Sequence, residues 1–352
     1  VGRIGARALA LFIALDSLAV LMALVAAPPV LASMHIDPAA AAGLRASAAQ
    51  SAGAAVEGAR SMPGIGQWIV DLVPANPVKA AADGAMLPLI VFSLLFGFAL
   101  SRVTADRRGL FLRVVEGVRD ASLVLVRAIL ALAPLGVFAL AVAAGAKLGI
   151  AAAGALATYV GLVAGISVMF CLVVLYPAAV IFGGVSLRAF ARAALPAQAV
   201  AFSSRSSLAT LPALLDPVRE RLAMPAPLAS FLFPLAVTLF RSGAAIGQVI
   251  GALFVAKLYG VAMGPAQFGA IATTAVVTSL AVPGIPGGGI IVMVPVLLAA
   301  GLPAEGVGLL LGVDTIPDMF RTTTNITGNV TAAAILAKRS RAGQQGVPAN
   351  VP

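Results

Sequence analysis

The chain has 352 residues, 61% of them hydrophobic and 10% charged, with a net charge of +10 at neutral pH. Its mean hydropathy of +1.06 excludes a soluble globular domain, its single cysteine (Cys171) excludes an internal disulfide, and its single histidine (His35) leaves a histidine-based metal centre or catalytic triad almost nothing to draw on. Apolar runs at 121–144, 151–182 and 228–255 reach the roughly 20 residues a helix needs to cross hydrocarbon. None of the alternating, roughly ten-residue strands of a β-barrel is found, so the fold class is an all-α polytopic membrane protein.

The basic charge does not point to nucleic acid, because it is spread over alternate connections instead of one face. The connections at 3–7, 102–113, 188–192, 219–221 and 338–341 carry most of it, and Arg45, Arg60, Lys79, Lys147 and Lys257 fall on the opposite side. The positive-inside rule makes the first side, and with it the C-terminus, cytoplasmic. A cytoplasmic (inner) membrane, with lipid as the surrounding partner, is therefore expected.

In chain order, the first helix covers 4–31 and carries Asp16 in the run LFIALDSLAVLM. It resembles a signal peptide but reads as a retained span, since it holds an acid and lacks a convincing cleavage site. Residues 39–66, rich in Ala, Gly and Ser, read as an external loop. Gly and Pro at 73–77 and 83–88 divide the next region into short pieces and one span. The basic connection at 101–113 leads to two long helices, 115–148 with a kink at Pro134, and 150–183.

Residues 198–227 contain AVAFSSRSSLATLP, in which apolar stretches too short to span flank serines and an arginine. The pattern predicts a re-entrant helical hairpin with its tip near 203–209. Residues 228–260 form a span broken at TLFRSGAAIGQ, with Arg241 at the break. Residues 261–303 repeat the hairpin pattern around a Pro/Gly tip at 283–289, where glycines allow close backbone approach. Paired discontinuous helices of this kind point to a transporter binding site near the membrane midplane.

The last helix, 304–338, holds DTIPDMFRTTTNITGN and precedes a tail at 339–352. Advancing roughly 100° per residue from Asp314 places Asp318 at about 40°, Arg321 at about 340°, Thr322 at about 80°, Asn325 at about 20° and Asn329 at about 60°. All share one polar stripe on an otherwise apolar helix. Such a stripe lines a substrate path or forms an internally paired structural network. No nucleophile–base pair is visible, so an enzyme is not expected.

These motifs resemble the dicarboxylate/amino acid:cation symporter family over residues 1 to about 338. SSRSSLATLP resembles its first hairpin, VPGIPGGG its second-hairpin tip, DMFRTTTNITGN its last helix, and VPANP and APLGVFAL its scaffold signatures. In register with that family, the chain begins at the third membrane helix, so 1–114 corresponds to scaffold-type helices. The resemblance implies a homotrimeric elevator transporter of an acidic amino acid or a dicarboxylate, with sodium or a proton as coupling ion and no other cofactor.

By that resemblance, Asp318 holds the substrate ammonium, Arg321 the side-chain carboxylate, and Thr322 and Asn325 neighbouring groups. Ser206 and Ser207 stand for the first tip, and Gly284, Ile285 and Gly289 for the second. A guanidinium fork suits a carboxylate on chemical grounds as well.

The family's Asn-Met-Asp-Gly-Thr is here Phe240, Arg241, Ser242, Gly243 and Ala244, and Asn329 replaces a sodium-binding Asp. Thr238, Ser279, Leu280 and Val282 remain as the makings of one residual sodium site. The expectation is that Arg241 occupies the space of a lost sodium and pairs with Asp16 or Asp314, reducing or abolishing sodium coupling. An anion channel lined by Arg205, Arg241 and Arg321, and a substrate-binding homologue that does not transport, are the alternatives.

Overall fold

The computed structural model describes residues 2–51, 70, 73–82, 86–131, 135, 150–222, 224–282, 284 and 287–345, and among the described residues there is no strand. The chain forms two compact units, one of Val1–Arg60 with Leu135–Pro352 and the other of Ser61–Pro134.

The smaller unit holds α3 (Pro77–Ala82), α4 (Met86–Ser101) and α5 (Ala105–Ala131). Asn76 caps α3 by accepting the Val78 and Lys79 N–H groups, both at 3.0 Å. Phe96 of α4 stacks on Phe92 and tilts against Phe111 of α5. The basic connection is shorter than the sequence implies, since α5 begins at Ala105 and takes Arg107, Arg108 and Arg113 into its first turns. The expected kink at Pro134 lies outside the described residues.

The larger unit opens with α1 (Gly2–Ser33), followed by α2 (Pro38–Ser51). The loop expected at 39–66 is corrected here, because its first part is α2. Asp37 Oδ1 accepts the Ala39 and Ala40 N–H groups, Pro38 suits a first helical position, and Ala41, Leu44 and Ala48 are buried. The long helix expected at 150–183 is α6 (Ile150–Phe170) running through a π-helical turn, Cys171–Leu175, into α7 (Tyr176–Ile181). Hydroxyls of the last helix sit against this bulge: Thr331 Oγ1 donates to Leu175 O at 3.2 Å and Thr324 Oγ1 to Ser167 O at 3.4 Å.

Next come α8 (Leu187–Ser204) and α9 (Leu211–Arg221), which pack against each other. Ser186 caps α8, and Arg205 ends it in the left-handed region at φ 54°, a conformation a non-glycine residue adopts at some cost. The broken span is α10 (Ala226–Leu239) and α11 (Ser242–Tyr259), with Phe240 extended between them. Then follow α12 (Pro265–Ser279), the short α13 (Gly288–Ile291) and α14 (Val294–Ala299), α15 (Gly306–Val313) and α16 (Thr315–Gln345).

The last helix is thus also two pieces, parting at Asp314. Pro317 explains the break, since it has no N–H to bond to Val313 O and its ring crowds that carbonyl. Among the described residues, 4–33, 154–181 and 228–259 are long and apolar enough to cross a membrane. The face of α1 bearing Leu9, Ile13, Leu21 and Val25 is exposed, whereas α11 is buried along nearly its whole length.

Two glycine contacts bring the broken span onto α16. A Cβ on Gly243 would lie 2.1 Å from Arg321 O, and one on Gly328 would lie 1.9 Å from the Phe240 ring. Gly243→Ala is expected to cost about 1–3 kcal/mol as overpacking, read as a lower Tm of the purified protein. Gly161→Ala, where a Cβ meets nothing within 4 Å, is expected to be neutral or stabilising by up to about 1 kcal/mol. Equal shifts for the two variants would contradict this account of the packing.

Candidate functional site

The polar stripe of α16 folds into a charge cluster. Arg321 is 2% exposed; its Nη2 donates to Asp314 Oδ1 and, at 3.1 Å, to Asp318 Oδ1. Asp314, helical itself at the junction of α15 and α16, lies on the same face as Arg321 seven residues on, and the long guanidinium side chain spans that distance. Asp318 Oδ2 also accepts the Gly287 N–H at 3.1 Å, which ties the second tip to α16. Arg321 Nε makes no hydrogen bond, and Nη1 faces Gly289, whose Cβ would sit 3.5 Å from it.

Arg241, also 2% exposed, is held by oxygen atoms from three segments. Nη2 donates to Val237 O at the end of α10, Nη1 to Ser207 Oγ at the first tip, and Nε to Val282 O at the second tip, 3.3 Å away. A helix end leaves carbonyls without intrahelical partners, and the break supplies such a carbonyl to the guanidinium. The opposite orphan, the Gly243 N–H at the start of α11, donates to Asn325 Oδ1 at 2.8 Å.

The expected pairing of Arg241 with Asp16 or Asp314 is not found. Among the described residues it makes no ion pair within 4.0 Å, and Asp314 is engaged by Arg321. Asp16 is fully buried, accepts from Ser279 Oγ at 3.4 Å, and leaves Oδ1 without a partner. The Arg241 backbone N–H is also turned toward its carboxylate, so the two residues meet through the main chain.

The two tips clasp each other directly. Ser206 Oγ donates to Gly284 O at 2.8 Å, and the Leu208 N–H reaches the same carbonyl at 3.4 Å. Beside this clasp lies a pocket with about 280 Å³ of empty space, part of it open to the outside, lined by Arg205, Ser207, Arg241, Ala244, Val282, Gly284, Gly289, Asp318, Arg321, Thr322 and Asn325.

Of the substrate residues expected from sequence, Ser207, Gly284, Gly289, Asp318, Arg321, Thr322 and Asn325 all line the pocket. Ser206 stands behind it in the clasp, and Ile285 lies outside the described residues. Arg205 and Gly287 were missed. Arg205 sits in the serine run where its side chain had only a channel role, and Gly287 acts through its N–H, which residue type does not reveal.

Three of the four residues expected to make a residual sodium site have hydrogen bonds within the protein. Thr238 Oγ1 donates to Pro234 O at 2.7 Å, Ser279 O accepts the Val282 N–H at 3.2 Å, and Val282 O accepts from Arg241. Asn329, with its amide turned to donate, reaches Asn325 O and Ala236 O, both at 3.3 Å, where a carboxylate would have no proton to give.

Removing one partner of a buried pair costs about 3–5 kcal/mol. Asp314→Asn is therefore expected to lower the Tm strongly, and Asp314→Asn with Arg321→Met to lose less than the sum of the single variants. Strictly additive losses would contradict the pairing.

The family model for the sodium:dicarboxylate symporter family matches residues 1–339. The proton/glutamate-aspartate symporter of Escherichia coli (strain K12) is 33% identical over 337 residues, 96% of this chain and 76% of that protein. The proton/sodium-glutamate symport protein of Bacillus subtilis (strain 168) is 31% identical over 79% of this chain and 64% of its own length. The C4-dicarboxylate transport protein of Yersinia enterocolitica is 29% identical over 96% of this chain and 77% of its own. The chain belongs to the sodium:dicarboxylate symporter family, a family of transporters and not of enzymes.

Proposed function

We propose that the chain is a secondary active transporter of an acidic amino acid, aspartate or glutamate, across the cytoplasmic membrane, with its C-terminus in the cytoplasm. The observation that carries this is the pocket itself, where the Arg321 guanidinium and the Asp318 carboxylate stand side by side between two helical turns. A substrate carboxylate takes the Arg321 donors that make no internal bond, and its ammonium takes Asp318. Asp314 stays behind Arg321 and keeps the fork oriented. The glutamate and aspartate symporters among the relatives support the same substrate class.

The proposed cycle is an elevator motion within a homotrimer. The part bearing α8–α16 and its two re-entrant hairpins carries the pocket past the remaining helices, and opening of the Ser206–Gly284 clasp admits substrate. Arg241 stands in for a coupling cation. A hard cation needs a cage of oxygens with anionic members, whereas here the Val282 and Val237 carbonyls already serve a guanidinium and position 329 is an amide. Sodium coupling is accordingly reduced or lost.

A C4-dicarboxylate is the second reading, favoured by three arginines against one acid on the pocket wall and by the 29% identical dicarboxylate relative. Calorimetric titration of the purified full chain in sodium-free buffer separates the two. L-aspartate or L-glutamate is expected to bind more tightly than succinate. Binding of succinate alone would transfer the assignment to dicarboxylates, and binding of none would overturn both readings.

A further inference from the structure

The charges around the pocket are unevenly compensated. Arg321 has two carboxylates in contact, Asp314 and Asp318. Among the described residues, Arg241, equally buried, has only a hydroxyl and two carbonyls. Such dipoles orient a guanidinium without cancelling its charge, and a buried cation without a paired anion is costly. Asp16 and Asp318 lie within its electrostatic reach, but neither is within 4.0 Å. Arg241 lines the pocket, with three of its five N–H donors spent on the protein.

Its placement is built for access. Gly284 lies against Nη2, and a Cβ there would come within 2.7 Å, so the second tip closes over the guanidinium only because that position has no side chain. Ser207, which accepts from Nη1, is itself a pocket residue. With Asp318 contacted by Arg321 and within reach of Arg241, the wall offers, besides the half-buried Arg205, two buried cations and an anion. An acidic amino acid offers the complement, two carboxylates and an ammonium.

We propose that Arg241 is a second carboxylate-binding residue of the site and receives the α-carboxylate of an acidic amino acid whose side-chain carboxylate meets Arg321. This rests on reading the pocket as an acidic amino acid site. It gives Arg241 a role in selectivity besides that of an internal cation. Lodged among the carbonyls, the arginine supplies the positive charge that a bound ion would supply to the substrate, and it remains there when the substrate leaves.

The test crosses a protein change with a ligand change. Binding of L-aspartate, its α-amide isoasparagine and its β-amide asparagine is measured calorimetrically on the full-length wild type and on Arg241→Gln. Wild type is expected to bind isoasparagine roughly 100-fold more weakly than aspartate, the scale for truncating one partner of a buried charge pair. In Arg241→Gln, aspartate affinity is expected to fall by a similar factor while isoasparagine affinity changes less than about threefold. The penalty for the β-amide is expected to persist in both proteins.

Parallel weakening of aspartate and isoasparagine in Arg241→Gln would mean a purely structural arginine and overturn the proposal, as would unchanged aspartate binding. If Arg241→Gln is not recovered folded, the wild-type series decides, because isoasparagine bound as tightly as aspartate overturns it. Failure of the wild type to bind any acidic amino acid overturns the underlying substrate reading, a result distinct from the others.

Discussion

A guanidinium in an apolar interior must be surrounded by oxygen, and the larger unit is arranged around two that are. Arg321 and Arg241 are each 2% exposed. A charge placed that deep without partners costs several kcal/mol, and both arginines have them. Asp314 and Asp318 contact Arg321 from its own helical face, and the break at Phe240–Arg241 frees the Val237 carbonyl for Arg241. Irregular backbone at such depth is tolerated where protein or a polar cavity receives its unpaired groups.

Such bonds also join the segments that surround the pocket. Arg241 touches the first tip at Ser207 and the second at Val282; Asp318 holds the second tip by the Gly287 N–H; Asn325 caps the start of α11. Glycines at 243, 284 and 328 let backbone, guanidinium and the Phe240 ring approach closely enough for these bonds to form. Packing and polar satisfaction are therefore one problem here. Losing a charged group would disturb the contact between segments, and crowding that contact would displace the charged group.

Much of this was legible in the sequence because helical periodicity acts on polar residues as well as apolar ones. Asp318, Arg321, Thr322 and Asn325 fall on one stripe of an apolar helix, and the structure brings all four to one pocket. The serine run at the first tip and the Pro/Gly run at the second announced turns, because neither composition continues a helix. Residues 38–51 misled because alanine, glycine and serine suit both an exposed loop and a close-packed helix. The cap and first position, Asp37 and Pro38, were the signal that discriminates.

The break at Asp314 was missed in the single helix expected at 304–338, although Pro317 was the signal for it. The partners of Arg241 were beyond reach: two of the three are main-chain carbonyls, and a carbonyl's availability depends on where helices end in space.

A cation that belongs to the chain has no gradient of its own, and on the proposed reading this would separate the protein from a carrier that must load an ion before its tips close. The cost of an unpaired charge at depth carried the expectation that Arg241 would find a carboxylate. It finds carbonyls and a hydroxyl instead, ligands closer to those of a bound metal ion than to those of a salt bridge. The central claim is that this arginine replaces a sodium ion in closing the site. The most direct measurement is uptake of radiolabelled aspartate and glutamate into proteoliposomes, with sodium and proton gradients imposed independently. Uptake that persists undiminished when sodium is absent from both sides is the predicted result, and uptake that collapses without a sodium gradient would contradict the account.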